Sequence, residues 1–491
     1  MSVAPPPHRA ATSPAMSPAP PRVSASGVLD EQPLRRPNTR SPKVMTRRAW
    51  WLVVLNFLVP GSAQVLAGNR RLGRVGLVAT IVMWVVALLA VLTGLMWRSL
   101  LVTLATNPFL LLVAQAVLLA YAVLWIVLTI DTLRLARLVK TRPRARFGIA
   151  LLAIVGMVIS SGGAAWASIG IIGPLRGGLS IFAAGPPVEP SDGYYNILLL
   201  GADSGQGRDS MRFDSISVVS VDADTGRVTI TGIPRDLEGA PFSAGPMQDL
   251  YPDGFEGHRD QTCGWSAGIN QLTNAVEVCR EDRGVSLYPD AEKASSTPAV
   301  EATKDAAEGI LGIEIPYYVF IDMKGFADLV DALGGVDITV EQRLPKGGGP
   351  SYEGEPVESW ATGWIEAGEQ HMDGDTAQWY ARSRKTTSDW DRMKRQRQLQ
   401  QAILDQITPT TVLTNFSALM DAGTDLVNTD IPTSLLPYLA DLAVDAQQQK
   451  VTTIELTPDN GVDQENADWE FVREMVRDAL HPASETSAPT E

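Results

Sequence analysis

Arginines and aspartates at the ends of short apolar runs are the residues of this chain best placed to do chemistry. Asn196-Ile-Leu-Leu-Leu-Gly201-Ala-Asp203 reads as a buried strand that stops at glycine and then presents a carboxylate at a sheet edge, a usual place for a ligand in open α/β sheets. Arg212 and Asp214 open the next strand, and Pro234-Arg235-Asp236 closes its partner. Farther on, Tyr380-Ala-Arg382-Ser-Arg384 leads through Asp389 and Asp391-Arg392 to Gln396, on a helix read as Arg392 to Ile407. Leu399 and Ile403 lie 7 and 11 residues beyond Arg392, so Arg392 and Gln396 share the stripe that should face the core. An arginine on the buried side of a helix start requires an anion. That anion is either a carboxylate such as Asp389 or a bound ligand. Lys394 and Arg397, turned away, read as a solvated face.

These residues need a sheet and flanking helices to hold them. Tyr195 to Leu200 is a short apolar run, and Ser215 to Val221 pairs with Arg227 to Ile233 across Asp222-Ala-Asp-Thr-Gly226, a hairpin signature. A helix around Ala302 to Leu311, a strand Tyr317 to Ile321, a helix Gly325 to Leu333 stopped by Gly334-Gly335, and a strand Val336 to Val340 follow. The alternation predicts an α/β fold, a mixed central sheet with helices on both faces. Phe326, Leu329, Val330 and Leu333 stripe one helix and serve either as core or as the wall of an apolar slot.

The first part of the chain differs in kind. Residues 1–48, rich in Pro, Ser and Ala, carry eight Lys/Arg against Asp30 and Glu31 and read as a disordered basic tail. Four apolar runs follow, Trp50 to Ala67, Val75 to Trp97, Leu101 to Ile130 and Phe147 to Gly173. The last three are long enough to span a bilayer. The first is interrupted by Asn56, Pro60-Gly61, Ser62 and Gln64, whose freed backbone groups would need protein partners. Basic residues flank the runs at Arg70, Arg71 and Arg74, and six more lie between Asp131 and Arg146. Keeping all of them on the cytoplasmic side predicts a re-entrant hairpin and then three spans within 49–173. A linker at 174–193, an extracytoplasmic domain at 194–475 and a disordered tail at 476–491 complete the expected plan. A plain four-span arrangement would instead put the large domain inside.

The formal charge of −14 over 491 residues argues against nucleic-acid binding, and no helix-turn-helix with a basic recognition helix is visible. The only cysteines, Cys263 and Cys279, fall in the expected outer domain, where oxidising conditions favour a disulfide over two separate thiols.

From Tyr195 to about Met475 the chain resembles the LytR-CpsA-Psr family. The resemblance rests on Asn196-Ile-Leu-Leu-Leu-Gly-Ala-Asp203, Arg212-Phe-Asp214-Ser-Ile, Thr231-Gly-Ile-Pro-Arg-Asp236, Gly268-Ile-Asn270, Leu333-Gly-Gly-Val-Asp337, and Tyr380-Ala-Arg-Ser-Arg384 through Asp391-Arg392 to Gln396. It implies a membrane-anchored phosphotransferase that moves a glycopolymer from a polyprenyl-pyrophosphate donor to peptidoglycan. By the family pattern Arg235, Arg382, Arg384 and Arg392 grip the pyrophosphate with help from Gln396. Arg212 and Asn270 contact substrate, Phe326 and Val330 line the lipid slot, and Asp203 and Asp214 hold Mg²⁺. Arginine forks and a divalent cation suit a leaving group that develops charge. Two other functions fit the same residues, hydrolysis of lipid pyrophosphates and non-catalytic binding of polyprenyl phosphates or glycans in envelope regulation. Gly268 stands where the family often carries a basic residue, and the segments Glu238 to Trp265 and Lys346 to Trp364 carry no motif.

Overall fold

A computed structural model describes residues 34–35, 37–183, 185–202, 212–383, 386–406, 427–446 and 449–482. Contacts divide the chain into two units, residues 1–84 with 121–163, and residues 85–120 with 164–491.

In the first unit, helix α1 (Pro42–Leu58) starts inside the expected tail, because Met45, Arg48 and Ala49 are buried. Arg48 donates to the carbonyls of Leu34 and Leu135, at 2.7 and 2.6 Å. The tail therefore gives way to helix at Pro42 rather than at residue 49. Pro60-Gly61 separates α1 from α2 (Ser62–Ala67), so the first apolar run is a broken helix, as its composition implied. Gly61 has φ +91°, and a Cβ there would come within 2.5 Å of the Gly73 carbonyl oxygen, so only glycine fits. The long helices α3 (Arg70–Met96), α5 (Pro108–Ala136) and α6 (Pro143–Trp166), with α4 (Arg98–Ala105) between the first two, belong to the apolar part. The polar residues of the broken run find partners on α5. Asn56 donates to Thr129 Oγ1 at 3.3 Å, and Gln64 donates to the Leu128 carbonyl at 2.8 Å and to Thr132 Oγ1 at 2.9 Å. Three helical stretches, Arg70–Met96, Pro108–Lys140 and Pro143–Ile181, are long and apolar enough to cross a membrane. The last continues through a π turn at Ala167–Ile172 into α7 (Gly173–Gly178), so helix occupies the start of the expected linker.

The second unit holds a six-stranded mixed sheet in the order β10-β3-β2-β1-β4-β9. Its strands are β1 (Tyr194–Ala202), β2 (Phe213–Asp222), β3 (Val228–Ile233), β4 (Tyr317–Asp322), β9 (Val427–Thr429) and β10 (Thr452–Glu455). β1 runs antiparallel to β2 and parallel to β4, and the β2–β3 hairpin closes with Val221 opposite Val228. Alternation decides which side chain faces which layer. Leu198, Leu200, Ile216 and Val218 pack with α8 (Pro298–Leu311) and with a C-terminal helix on one face. That helix, Trp469–Leu480, buries Val472, Val476 and Leu480, so the ordered domain reaches Leu480 and the tail cannot start at 476.

On the other face lie α9 (Met323–Leu333), α10 (Gly374–Arg382) and α11 (Asp389–Gln406), with the two-stranded sheet of β5 (Val336–Val340) and β8 (Gly368–Met372); β6 (Leu344–Lys346) and β7 (Gly363–Ile365) pair in a sheet of their own. Their shared core contains Val330, Leu333, Tyr380, Leu399 and Ile403. Gly374 lets α10 close on α9, since a Cβ there would lie 2.1 Å from the Ala327 carbonyl oxygen. The observed layers are those of a mixed sheet covered on both faces.

Candidate active site

The chain leaves β3 at Pro234, which puts Arg235 at the sheet edge beside the start of β2. Its guanidinium meets three carboxylates, Asp214 at 2.6 Å, Asp236 at 3.2 Å and Asp389 at 3.6 Å. Burial works against the charge of Arg235, but Asp236, Asp214 and Asp389 outweigh it and hold the group above its ordinary value. Asp389 also accepts from Arg392 at 3.0 Å and so bridges two arginines. Asn270 donates to Asp236 at 3.0 Å and through its backbone to the Arg235 carbonyl at 2.9 Å.

Helix α11 begins with a reciprocal cap. The Ser388 amide and hydroxyl donate to Asp391 at 2.9 and 2.8 Å, and the Asp391 amide donates to Ser388 Oγ at 3.0 Å. Hydrogen bonds from the Ser388 backbone and then its hydroxyl keep the Asp391 carboxyl below its usual range. Asp391 thus sets the start of the helix, and Arg392 follows on the buried side, 6% exposed. Three residues on, buried Arg395 donates to the Tyr380 carbonyl at 3.0 Å, to Thr387 Oγ1 at 3.2 Å, and to the Ser383 carbonyl. It ties the end of α10, and with it Arg382, to α11. Burial lowers the Arg395 guanidinium below its ordinary value despite nearby Tyr380 and Asp391.

Two cavities meet between these elements. A polar one of about 240 Å³ is lined by Asp214, Arg235, Arg382 and Arg392, with Gly347, Gly348, Trp360 and Trp379 as its far wall. Arg382 lies 5.5 Å from the Trp379 ring centre, within cation–π range. An apolar cavity of about 250 Å³ runs between the sheet and helices α9 and α11, walled by Leu199, Val219, Val319, Ile321, Phe326 and Leu329 among others. Met323, Ala381 and Gln396 line both. Among the described residues, Trp360 Nε1 and Gln396 Oε1 are buried without a hydrogen-bond partner, and both side chains face the polar cavity. A site with cations on one wall, an unused donor on another and an apolar chamber beneath suits a phosphorylated molecule with a hydrocarbon tail.

The structure brings together Arg235, Arg382, Arg392, Asp214, Gln396 and Phe326 of the residues expected from sequence. Asp203 and Arg384 lie outside the described residues. Arg212 is exposed and lines neither cavity. Val330 is fully buried in the core it shares with Leu333 and Tyr380 and is not a wall residue, although it lies one helical turn from Phe326. Asn270 holds Asp236 and faces neither cavity. Arg397 also departs from its expected place. It is 4% exposed and stands 3.2 Å from Glu455 on β10, not on a solvated face. Burial pulls Arg397 down and lifts Glu455, each against its partner's charge. Lys394, by contrast, is exposed and pairs with Glu341 at 2.7 Å. Sequence reading missed Arg395, although its spacing of three from Arg392 and four from Leu399 already put it on the buried stripe. The Gly347, Gly348 and Trp360 wall carried no sequence signal beyond glycine content.

Among the described residues no group of three or more His, Cys, Asp or Glu could hold a metal ion. A cavity-facing carboxylate such as Asp214 is still a suitable oxygen donor for a hard cation shared with phosphate. Cys263 and Cys279 form a disulfide with a Cα separation of 5.6 Å.

Comparison with known proteins finds the LytR_cpsA_psr family matched over residues 183–239 and 292–480, half of the chain. A relative from Halalkalibacterium halodurans, polyisoprenyl-teichoic acid–peptidoglycan teichoic acid transferase TagU, is 28% identical over 239 residues, 48% of this chain and 61% of its own length. The Bacillus subtilis relative TagV, carrying the same transferase name, is 23% identical over 308 residues, 60% of this chain and 67% of its own. The chain thus spans about three-fifths of the length of the TagU relatives it matches. Among solved structures, B. subtilis TagV aligns with a TM-score of 0.39 at 22% identity, covering 58% of this chain and 97% of that one. TagT bound to LI-WTA aligns at 0.37 and 20%, covering 60% and 92%.

Proposed function

The chain belongs to the LytR_cpsA_psr family, and from that premise we propose that it is a membrane-anchored phosphotransferase moving a polyprenyl-pyrophosphate-linked glycopolymer onto peptidoglycan. The observation that carries this reading is the joined pair of cavities, cationic above and apolar below, with Gln396 at their boundary. In the proposed reaction a peptidoglycan hydroxyl attacks the phosphorus nearer the sugar. One O–P bond forms, the bond to the bridging oxygen breaks, and lipid phosphate leaves. Arg235, Arg382 and Arg392 would bind the phosphates, and Arg384 joins them by resemblance alone. With Asp214 assigned to the cation, the other two carboxylates paired with Arg235, Asp236 at 3.2 Å and Asp389 at 3.6 Å, would take the acceptor proton. Trp360 offers its indole N–H to a phosphate or sugar oxygen. Mg²⁺, if bound, would neutralise phosphate charge, with Asp214 as the described ligand and Asp203 as its expected partner.

The proposed orientation places the N-terminus in the cytoplasm and the large domain outside. The disulfide supports an oxidising compartment for that domain, and the basic segments around the apolar helices support an inner location for those segments. The test is to supply the full chain in lipid nanodiscs with Mg²⁺ and a short polyprenyl-pyrophosphate glycan, with and without peptidoglycan fragments. Phosphate-bond cleavage should fall at least about tenfold in Arg382→Ala and Arg392→Ala, as loss of a charge-assisted contact requires. Glycan linked to the fragment means transfer, free phosphorylated glycan means hydrolysis, and no cleavage by wild type would refute an enzyme.

A further inference from the structure

A further open cleft lies far in sequence from the proposed catalytic residues, in the first unit. It measures about 440 Å³ and is lined by α1 together with Arg142. Along one side of α1 its lining runs Lys43, Arg47, Trp50 with Trp51, then Val54, a gradient from cation through aromatic to aliphatic at helical spacing. Arg142, just before α6, supplies a third cation, and its backbone amide donates to Thr46 Oγ1 at 3.0 Å, which fixes the two walls together. Trp50 packs over Gly148 of α6, where a Cβ would lie 3.3 Å from its ring. Lys43, Arg47 and Arg142 are exposed, and Trp50 and Trp51 are 38% and 52% exposed.

Charge within this part of the chain is one-sided. Between Leu34 and Gly163 there are 16 Lys/Arg against a single acidic residue, Asp131. Three exposed cations on one cleft whose lining carries no acidic side chain make a local positive field that attracts an anion. The aromatic and aliphatic end of the cleft excludes a purely aqueous ligand as the best fit. Tryptophan beside basic residues, next to helices long enough to cross a bilayer, is the pattern of the membrane interface.

We propose that this cleft binds the phosphate headgroup of an anionic glycerophospholipid, with Lys43, Arg47 and Arg142 around the phosphate and Trp50, Trp51 and Val54 against the glycerol and upper acyl chain. The site is separate from the catalytic cavities and does not depend on which glycan the chain transfers. It gives the membrane unit a preference for anionic lipid that apolar helices alone would not have.

The test uses the delipidated full chain in detergent and native mass spectrometry with phosphatidylglycerol, phosphatidylcholine or inorganic phosphate as probe. Wild type should retain phosphatidylglycerol at least about tenfold better than phosphatidylcholine, and Lys43→Gln/Arg47→Gln/Arg142→Gln should remove that preference. Arg144→Gln, outside the cleft, should keep it. Trp51→Ala should weaken retention of both lipids while keeping the preference. Equal retention of the two lipids by wild type overturns the proposal without reference to any variant. So does a folded triple variant that behaves like wild type. Displacement of phosphatidylglycerol by millimolar inorganic phosphate would mark a soluble-anion site and overturn the lipid assignment.

Discussion

Replacing Arg392 with methionine separates binding from folding, because the two roles of that side chain differ in size. In the folded protein Arg392 is 6% exposed and donates to Asp389 at 3.0 Å. Removing one partner of a buried pair costs about 3–5 kcal/mol, most of it from the charge left behind. Asp389 is 34% exposed and keeps Arg235 at 3.6 Å, so water and a second cation remain available to it. Solvent screening reduces the expected loss of stability to about 1–2 kcal/mol. Binding of a pyrophosphate has no such relief. A charge-assisted hydrogen bond contributes about 1.5–3 kcal/mol, so affinity should fall roughly 10- to 150-fold. Asp389→Asn in the same chain removes the orphaned charge. The double variant should recover most of the lost stability and none of the lost affinity. The assays are a denaturant midpoint by tryptophan fluorescence and titration with a short polyprenyl pyrophosphate. If Arg392→Met binds within about threefold of wild type, or if the double variant regains binding, the arginine serves folding alone and the assignment to the phosphate site is wrong.

Leu329→Trp should narrow the apolar cavity and penalise long prenyl chains more than short ones, since each buried methylene contributes about 0.8 kcal/mol; equal loss for both would place the tail elsewhere. Arg395→Lys, unable to span Tyr380 and Ser383 together, should destabilise the domain by about 2–4 kcal/mol by leaving buried carbonyls unmet, and an unchanged midpoint would refute the latch. Asp305 carries a pH signature. Burial, helped by Glu308 and Glu301 and opposed by the hydrogen bond from Tyr288, pushes its carboxyl up to about 6 from 3.8. The folded state then binds the proton more tightly than the unfolded state, so this group adds stability as pH falls from about 7 towards 4. Asp305→Asn should flatten that part of the curve, and an unchanged slope would assign it to other groups.

The strands and helices of the second unit were legible because their apolar residues keep strict periods. β1 alternates Leu198 and Leu200 into one core against Leu199 into the apolar cavity, and α11 carries Arg392, Gln396, Leu399 and Ile403 on one stripe. The Cys263–Cys279 disulfide was legible because these are the chain's two cysteines and the expected compartment favours their pairing. What sequence could not supply was partnership across the fold. Arg397 looked solvated because its partner Glu455 is 58 positions away on a strand that packs beneath the helix. Val330 and Phe326 share a helix, yet which of them meets the cavity depends on the neighbouring sheet. The early start of α1 was hidden because Arg48, charged and seemingly part of a basic tail, is buried and donates to the carbonyls of Leu34 and of Leu135 at the end of α5. Asn270 matched a motif but acts on Asp236 rather than on a cavity.

The most direct measurement is a crystal or cryo-electron microscopy structure of the full chain with a short polyprenyl pyrophosphate and Mg²⁺. The pyrophosphate should lie among Arg235, Arg382 and Arg392, with the prenyl chain passing Gln396 into the cavity beneath α9 and α11. A pyrophosphate held elsewhere, or a prenyl chain that leaves that cavity empty, would contradict the assignment.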